Sequence, residues 1–184
     1  MSERSFEPIG SEVKFEGGII RAGTERFRHS DGDEVTRDKV WHPGAVGILA
    51  IDDRHVWLTR QPREVIGAAD SLEIPAGKLD VPGESPLQTG KRELAEEIGK
   101  RAERWEELLA FYTSAGFSDE RIWLYVATEL SDDPEHEPDP GERIEIVPWP
   151  LADLDDAIDQ CEDSKSLIAL LWLAGQRRLA HGIA

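Results

Sequence analysis

The sequence predicts an α+β fold in which helices pack on a mixed sheet and a small β unit comes first. Three observations predict it. Strand-like runs dominate the chain before residue 75, a strongly capped amphipathic helix occupies 85–98, and the later strands and helices do not alternate as βαβ units.

Each element has a local reason. Residues 11–41 form short strand-like pieces broken by turn signals at Gly17-Gly18, Gly23 and Ser30-Asp31-Gly32-Asp33. They read as an N-terminal β unit covering 1–41, with the main domain at 42–184. His42-Pro43-Gly44 breaks the chain. Residues 45–51 and 55–61 read as strands joined by a tight hairpin at Asp52-Asp53, and 71–74 as a further strand ending in Pro75-Ala76-Gly77. In the helix at 85–98, Ser85 suits the N-cap, Pro86 the first helical position and Gln88 the capping box, while Gly99 is a natural stop. Strands follow at 105–112, 120–130 and 144–147, an acidic Pro-rich loop at 131–142, and helices near 151–160 and 163–180.

Composition narrows the function. Across 184 residues, 21 Lys plus Arg stand against 38 Asp plus Glu, a net charge of −17. Such a surface repels nucleic acid and anionic membrane, so neither is an expected partner. It repels phosphate substrates too, so a phosphate-handling site needs metal ions or a local arginine cluster. Cys161 is the only cysteine, which excludes a disulfide framework or Cys-rich zinc site within one chain. No apolar run is long enough to cross a bilayer. A reducing cytoplasm fits these features.

The helix at 85–98 carries the chemistry. At about 100° per residue, Leu87, Leu94 and Ile98 gather on one side and Glu93, Glu96 and Glu97 on another. The glutamates stand at i,i+3 and i,i+4 spacing, where like charges cost roughly 0.2–0.5 kcal/mol per pair. Arg92 offsets part of that, and a hard divalent cation would offset more. Alone, three glutamates also describe a solvated face. The strand and Gly-containing loop before the helix favour a site, because such a unit aims a backbone carbonyl and a row of carboxylates at one point.

Gly77, Glu84, Arg92, Glu93, Leu94, Glu96, Glu97 and Gly99 resemble the Nudix box, G-x5-E-x7-R-E-U-x-E-E-x-G-U with U aliphatic. Two positions depart: residues 78–83 make the first gap six rather than five, and Lys100 replaces the last aliphatic residue, which should cost packing but not metal binding. The resemblance implies a Nudix-type α/β/α sandwich. It also implies Mg²⁺ or Mn²⁺ held by Glu93, Glu96, Glu97 and the Ala76 carbonyl, an ion pair between Glu84 and Arg92, and attack by a metal-activated water.

Flanking segments resemble the ADP-ribose pyrophosphatase group within that family. They are His42-Pro43-Gly44-Ala45-Val46, Thr59-Arg60-Gln61-Pro62-Arg63, Leu72-Glu73-Ile74-Pro75-Ala76-Gly77 and residues 114–120. The group carries a proline where this chain has Ala115. The resemblance implies cleavage of ADP-ribose to AMP and ribose 5-phosphate and a homodimer built through residues 11–41. Gly141-Glu142-Arg143-Ile144-Glu145 resembles the end of the group's acidic loop and implies Glu142 as the base for the attacking water. Glu93 and Glu97 complete the expected catalytic set. Arg63 and Arg37 are expected on the phosphates, because a guanidinium fork matches phosphate oxygens, and Trp41 on the adenine. Ala115 leaves open another nucleoside diphosphate sugar, and a non-catalytic ADP-ribose-binding module is the reading from a different class. His42 is expected to make a structural hydrogen bond.

Overall fold

The computed structural model describes residues 5–133 and 143–180. Its contacts form two compact units: Met1–Gly44 with Phe111–Arg121, and Ala45–Ala110 with Ile122–Ala184.

The first unit is an antiparallel sheet of β1 (Phe6–Glu16), β2 (Arg21–His29) and β3 (Glu34–Trp41), in that order. The turns fall at Gly17-Gly18 and around Gly32, as the sequence suggests. Gly23 does not form one. It lies inside β2 opposite Val13, beside a register shift, and a Cβ there would sit 2.0 Å from the Glu12 carbonyl oxygen. The glycine is a close-approach residue within a strand. The unit also takes in Phe111–Arg121, beyond the 1–41 expected from sequence. Val40 N–H donates to the Phe117 carbonyl at 2.8 Å, and Asp119 N–H donates to the Val40 carbonyl at 3.1 Å.

The second unit is an α/β/α sandwich. Its sheet contains β4 (Ala45–Ile51), β5 (His55–Arg63), β6 (Ala68–Glu73), β7 (Ala76–Lys78), β8 (Lys100–Tyr112), β9 (Arg121–Asp132) and β10 (Glu145–Pro150). The main order is β10-β5-β4-β9-β8, with β6 on β5 and β7 on β4. β4 runs parallel to β9 but antiparallel to β5 and β7, so the sheet is mixed.

Side-chain alternation along β4 sorts the two faces. Val46, Ile48 and Ala50 pack with Leu94, Ile98 and Tyr125 beneath α1 (Pro86–Ile98). Gly47 faces Leu124 and Ile74 on the other side. There α2 (Leu154–Gln160) and α3 (Ser164–Ala180) bury Ala157, Ala169 and Leu170. Leu94 and Ile98, 0% and 3% exposed, each contribute about 2 kcal/mol by burial.

The caps on α1 form as expected. The Ser85 hydroxyl accepts from Gln88 N–H, the Gln88 side chain accepts from Ser85 N–H, and Gly99 ends the helix at φ 64°. Lys100 is not the packing defect the sequence implies. Its Nζ lies 4.1 Å from the Trp57 ring centroid and 2.5 Å from Asp132 Oδ1. Its ammonium thus finds both a ring face and a carboxylate.

Gly23→Ala is expected to lower stability by at least about 2 kcal/mol, because the obstacle is backbone rather than a movable side chain. Urea denaturation of both proteins checks this, and an unchanged midpoint would show that β1 can move aside.

Candidate functional site

The site begins with β7, a three-residue strand whose position the 71–74 prediction stops short of. It pairs with β4 through Ala45↔Lys78, Val46↔Gly77 and Gly47↔Ala76. Before it, Ile48 N–H donates to the Pro75 carbonyl at 2.8 Å. These bonds hold residues 75–78 against the middle of the sheet, directly under the acidic side of α1.

Two contacts join the elements. Ala76 N–H donates to Glu97 Oε2 at 2.9 Å. Gly77 meets Glu93 so closely that a Cβ at residue 77 would fall 2.0 Å from Glu93 Cδ. Glycine therefore lets the Glu93 carboxylate lie against the strand backbone. Glu97 is 8% exposed, and its carboxylate keeps a strong acceptor role through the Ala76 amide.

Arg92 organises the rest. Its Nη1 lies 2.9 Å from Glu93 Oε1 and 2.6 Å from Glu96 Oε2, and its Nε lies 3.4 Å from both Glu84 oxygens. Burial works against its charge, but Glu93, Glu96 and Glu84 outweigh that and raise its pKa. Glu84 also accepts from the Thr89 hydroxyl at 3.0 Å. The brace between Glu84 and Arg92 expected from sequence is therefore present, and it extends to two of the helix glutamates.

The candidate metal donors, three carboxylates and the Ala76 carbonyl, are all oxygen, which suits a hard divalent cation. Among the described residues, no three His, Cys, Asp or Glu side chains converge on one point as they stand. Glu93 and Glu96 are drawn to Arg92, and Glu97 to the Ala76 amide.

Behind this layer lies a network that sequence reasoning missed. Glu73, 2% exposed, accepts from Arg63 Nε and Nη2 at 2.7 Å each and from Lys165 Nζ at 2.6 Å. Lys165 also pairs with Asp163 at 2.9 Å. Burial alone would raise the Glu73 pKa, but the Arg63 hydrogen bonds and the Lys165 charge hold it down at about 2. Arg63, expected on a phosphate, has two of its donors committed to Glu73. Its pKa is raised, first by those hydrogen bonds and also by the charges of Asp163 and Glu97. The partners are 10 and 92 residues from Glu73, and no local pattern signals either pairing.

Arg37 and Trp41 belong to the first unit. Arg37 lines a pocket of about 260 Å³ with Phe27, Tyr112, Ala115 and Phe117. The Trp41 ring carries Arg21 and Lys39 at 5.5 and 5.3 Å from its centroid. Glu142 lies outside the described residues. His42 is structural, as expected: Nδ1 accepts from Gly44 N–H at 3.0 Å.

Comparison with known proteins places this geometry. The NUDIX domain model matches residues 41–171. An ADP-ribose pyrophosphatase of Mycobacterium tuberculosis is 42% identical over 133 residues, which is 72% of this chain and 64% of that protein, so the match spans under two thirds of its length. An ADP-ribose pyrophosphatase of Bacillus subtilis is 36% identical over 94% of this chain and 95% of its own. A methanol dehydrogenase activator of Bacillus methanolicus is also 36% identical, with the same coverage. The crystal structure of an ADP compounds hydrolase shares the fold, with a TM-score of 0.79 at 23% identity over 100% of both chains.

Two outcomes are expected. Glu73→Gln should cost about 3 kcal/mol at neutral pH, the equivalent of a pKa held near 2 rather than 4.5. Because the folded pKa is depressed, this stabilisation is fully present above pH 4.5 and fades as pH falls toward 2. Chemical denaturation of both proteins at pH 7 and pH 3 should show the gap narrowing, and a gap independent of pH would contradict it. Gly77→Ala should melt within a few degrees of wild type, because the obstructing Glu93 carboxyl ends a flexible side chain. It should nonetheless bind Mn²⁺ at least about tenfold more weakly by paramagnetic resonance titration, since Glu93 must swing away. Unchanged Mn²⁺ affinity would remove Glu93 from the metal site.

Proposed function

The chain belongs to the Nudix family, and from that premise we propose that it hydrolyses the diphosphate of ADP-ribose to AMP and ribose 5-phosphate. One observation carries the reading: relatives named ADP-ribose pyrophosphatase match at 42% and 36% identity, and this chain keeps every box glutamate, with Glu93, Glu96 and Glu97 on one helix.

Nudix hydrolases generally need divalent metals. Glu93, Glu96, Glu97 and the Ala76 carbonyl would hold Mg²⁺ or Mn²⁺ here, which when bound neutralises diphosphate charge and makes water a better nucleophile. The protein's own contribution is placement. Gly77 leaves space for Glu93, Ala76 N–H orients Glu97, and Arg92 with Glu84 keeps the glutamates from dispersing under mutual repulsion. Glu142 is the proposed acceptor of the attacking water's proton. Water oxygen bonds to one phosphorus, the bridging P–O bond breaks, and the departing phosphate oxygen takes the bond's electron pair. Arg63 and Arg37 are proposed to contact the phosphates, and Trp41 the adenine. Assembly as a homodimer through the N-terminal sheet and action in the cytoplasm belong to the same proposal.

Ala115 favours a second reading that keeps the chemistry and changes the substrate to another nucleoside diphosphate sugar. A substrate panel with Mg²⁺ or Mn²⁺, read as product identity, separates the two. AMP and ribose 5-phosphate from ADP-ribose, with the highest kcat/KM of the panel, is the expected result. Glu97→Gln should lower that rate at least ~100-fold, and chelation should abolish it reversibly. Preferred turnover of another sugar would transfer the assignment. Tight ADP-ribose binding without turnover over hours would make the protein a binding module.

A further inference from the structure

Ile74 and Pro75 link two strands that pair with different partners. β6 leaves β5 at Thr59↔Glu73, and β7 joins β4 from Gly47↔Ala76. Proline lacks an N–H and has a fixed φ, so the link is stiff and offers one amide, that of Ile74. The start of α3 meets that amide. Ile74 N–H donates to Ser166 Oγ at 2.9 Å, and both residues are 0% exposed.

The Ser166 hydroxyl is held in one orientation. It donates to Asp163 Oδ2 at 2.6 Å, and the same oxygen accepts from Ser166 N–H at 3.0 Å and lies 2.9 Å from Lys165 Nζ. With its proton committed, the hydroxyl presents its lone pairs to Ile74. Two neighbours act on the same stretch. Cys161 Sγ donates to the Leu72 carbonyl at 3.3 Å, and Lys165 holds the Glu73 carboxylate at 2.6 Å. Residues 161–166 therefore grip three consecutive residues just before the box strand. Two residues beyond Ile74, Ala76 N–H donates to Glu97 on the opposite helix layer. The stiff link is thus pinned by α3 at residue 74 and by α1 at residue 76.

We propose that Ser166, oriented by Asp163, is a positioning residue for the candidate metal site. It fixes the Ile74-Pro75-Ala76 backbone so that the Ala76 carbonyl and the Glu97 carboxylate meet the cation together. The inference rests on the hydrolase reading above. It adds a residue from outside the box, 92 positions beyond Ile74.

Ser166→Ala, Ser166→Thr and Leu170→Ala are compared with wild type, with thermal melts to confirm folding. Leu170, on the same helix and 0% exposed, is the control for lost packing. The readouts are amide hydrogen exchange by NMR without metal and Mn²⁺ titration by paramagnetic resonance. In Ser166→Ala, the Ala76 amide should exchange at least about tenfold faster relative to the Leu124 amide of β9. Mn²⁺ should bind about tenfold more weakly. Ser166→Thr keeps the hydroxyl and should stay near wild type in both. Leu170→Ala should lower the melting temperature yet leave the exchange ratio and the Mn²⁺ affinity unchanged. Unchanged Ala76 exchange or unchanged Mn²⁺ affinity in Ser166→Ala would overturn the proposal, as would equal losses in Leu170→Ala. A wild type that cleaves no ADP-ribose while these selective losses hold would instead count against the hydrolase reading alone.

Discussion

The hydrogen bond from Ala76 N–H to Glu97 is the joint on which the second unit's chemistry depends. A three-residue strand has little pairing energy of its own, yet β7 must be held to within a fraction of an ångström for a backbone group and a carboxylate to act together. Three fixings meet there. The ladder to β4 sets its height, Leu94 and Ile98 seat α1 on the same strand, and the Ala76–Glu97 bond closes the triangle. The apolar side of α1 supplies the energy and the acidic side the chemistry, and a rotation of one residue would exchange them.

That arrangement carries an electrostatic cost met in layers. Glu97 and Glu73 are both buried, and an unpartnered buried carboxylate would protonate or unfold the site. Glu73 is answered by Arg63 and Lys165, Glu97 by a backbone amide, and Glu93 and Glu96 by Arg92. The partners differ in kind. Arg63 is a planar fork that engages both oxygens of Glu73, whereas the Ala76 amide is a neutral backbone donor to Glu97.

Much of this was legible because it is local. The capping box, the stop at Gly99 and the two faces of α1 depend on residues within four positions of each other, where sequence spacing is spatial spacing. The α+β class was legible from element order, as was the hairpin at Asp52, while the two-sided helix layers followed from the resemblance of the box. What failed was non-local. Gly23 looks like a turn but is a close approach to β1, because strand register decides which residue meets the Glu12 carbonyl. Lys100 looks like a lost aliphatic contact, but Trp57, far away in sequence, gives its ammonium a ring to sit on. The tie of residues 111–121 to β3, and the clamp of Lys165 on Glu73, likewise have no signature along the chain.

The net charge of −17 poses the remaining problem, since a diphosphate approaching this protein meets repulsion. At physiological salt that field decays over about 8 Å, so it governs approach while nearby groups govern binding. The arginines near the site are mostly neutralised: Arg92 by three glutamates, Arg63 by Glu73 and Arg60 by Asp70. Such cations position carboxylates but add little net attraction for an anion. On the proposed reading, attraction must then come from divalent cations gathered by the α1 glutamates and from a cation outside these pairs. A site built this way is weak for phosphate until its metal arrives. Metal affinity and substrate affinity are therefore coupled, each binding better in the presence of the other.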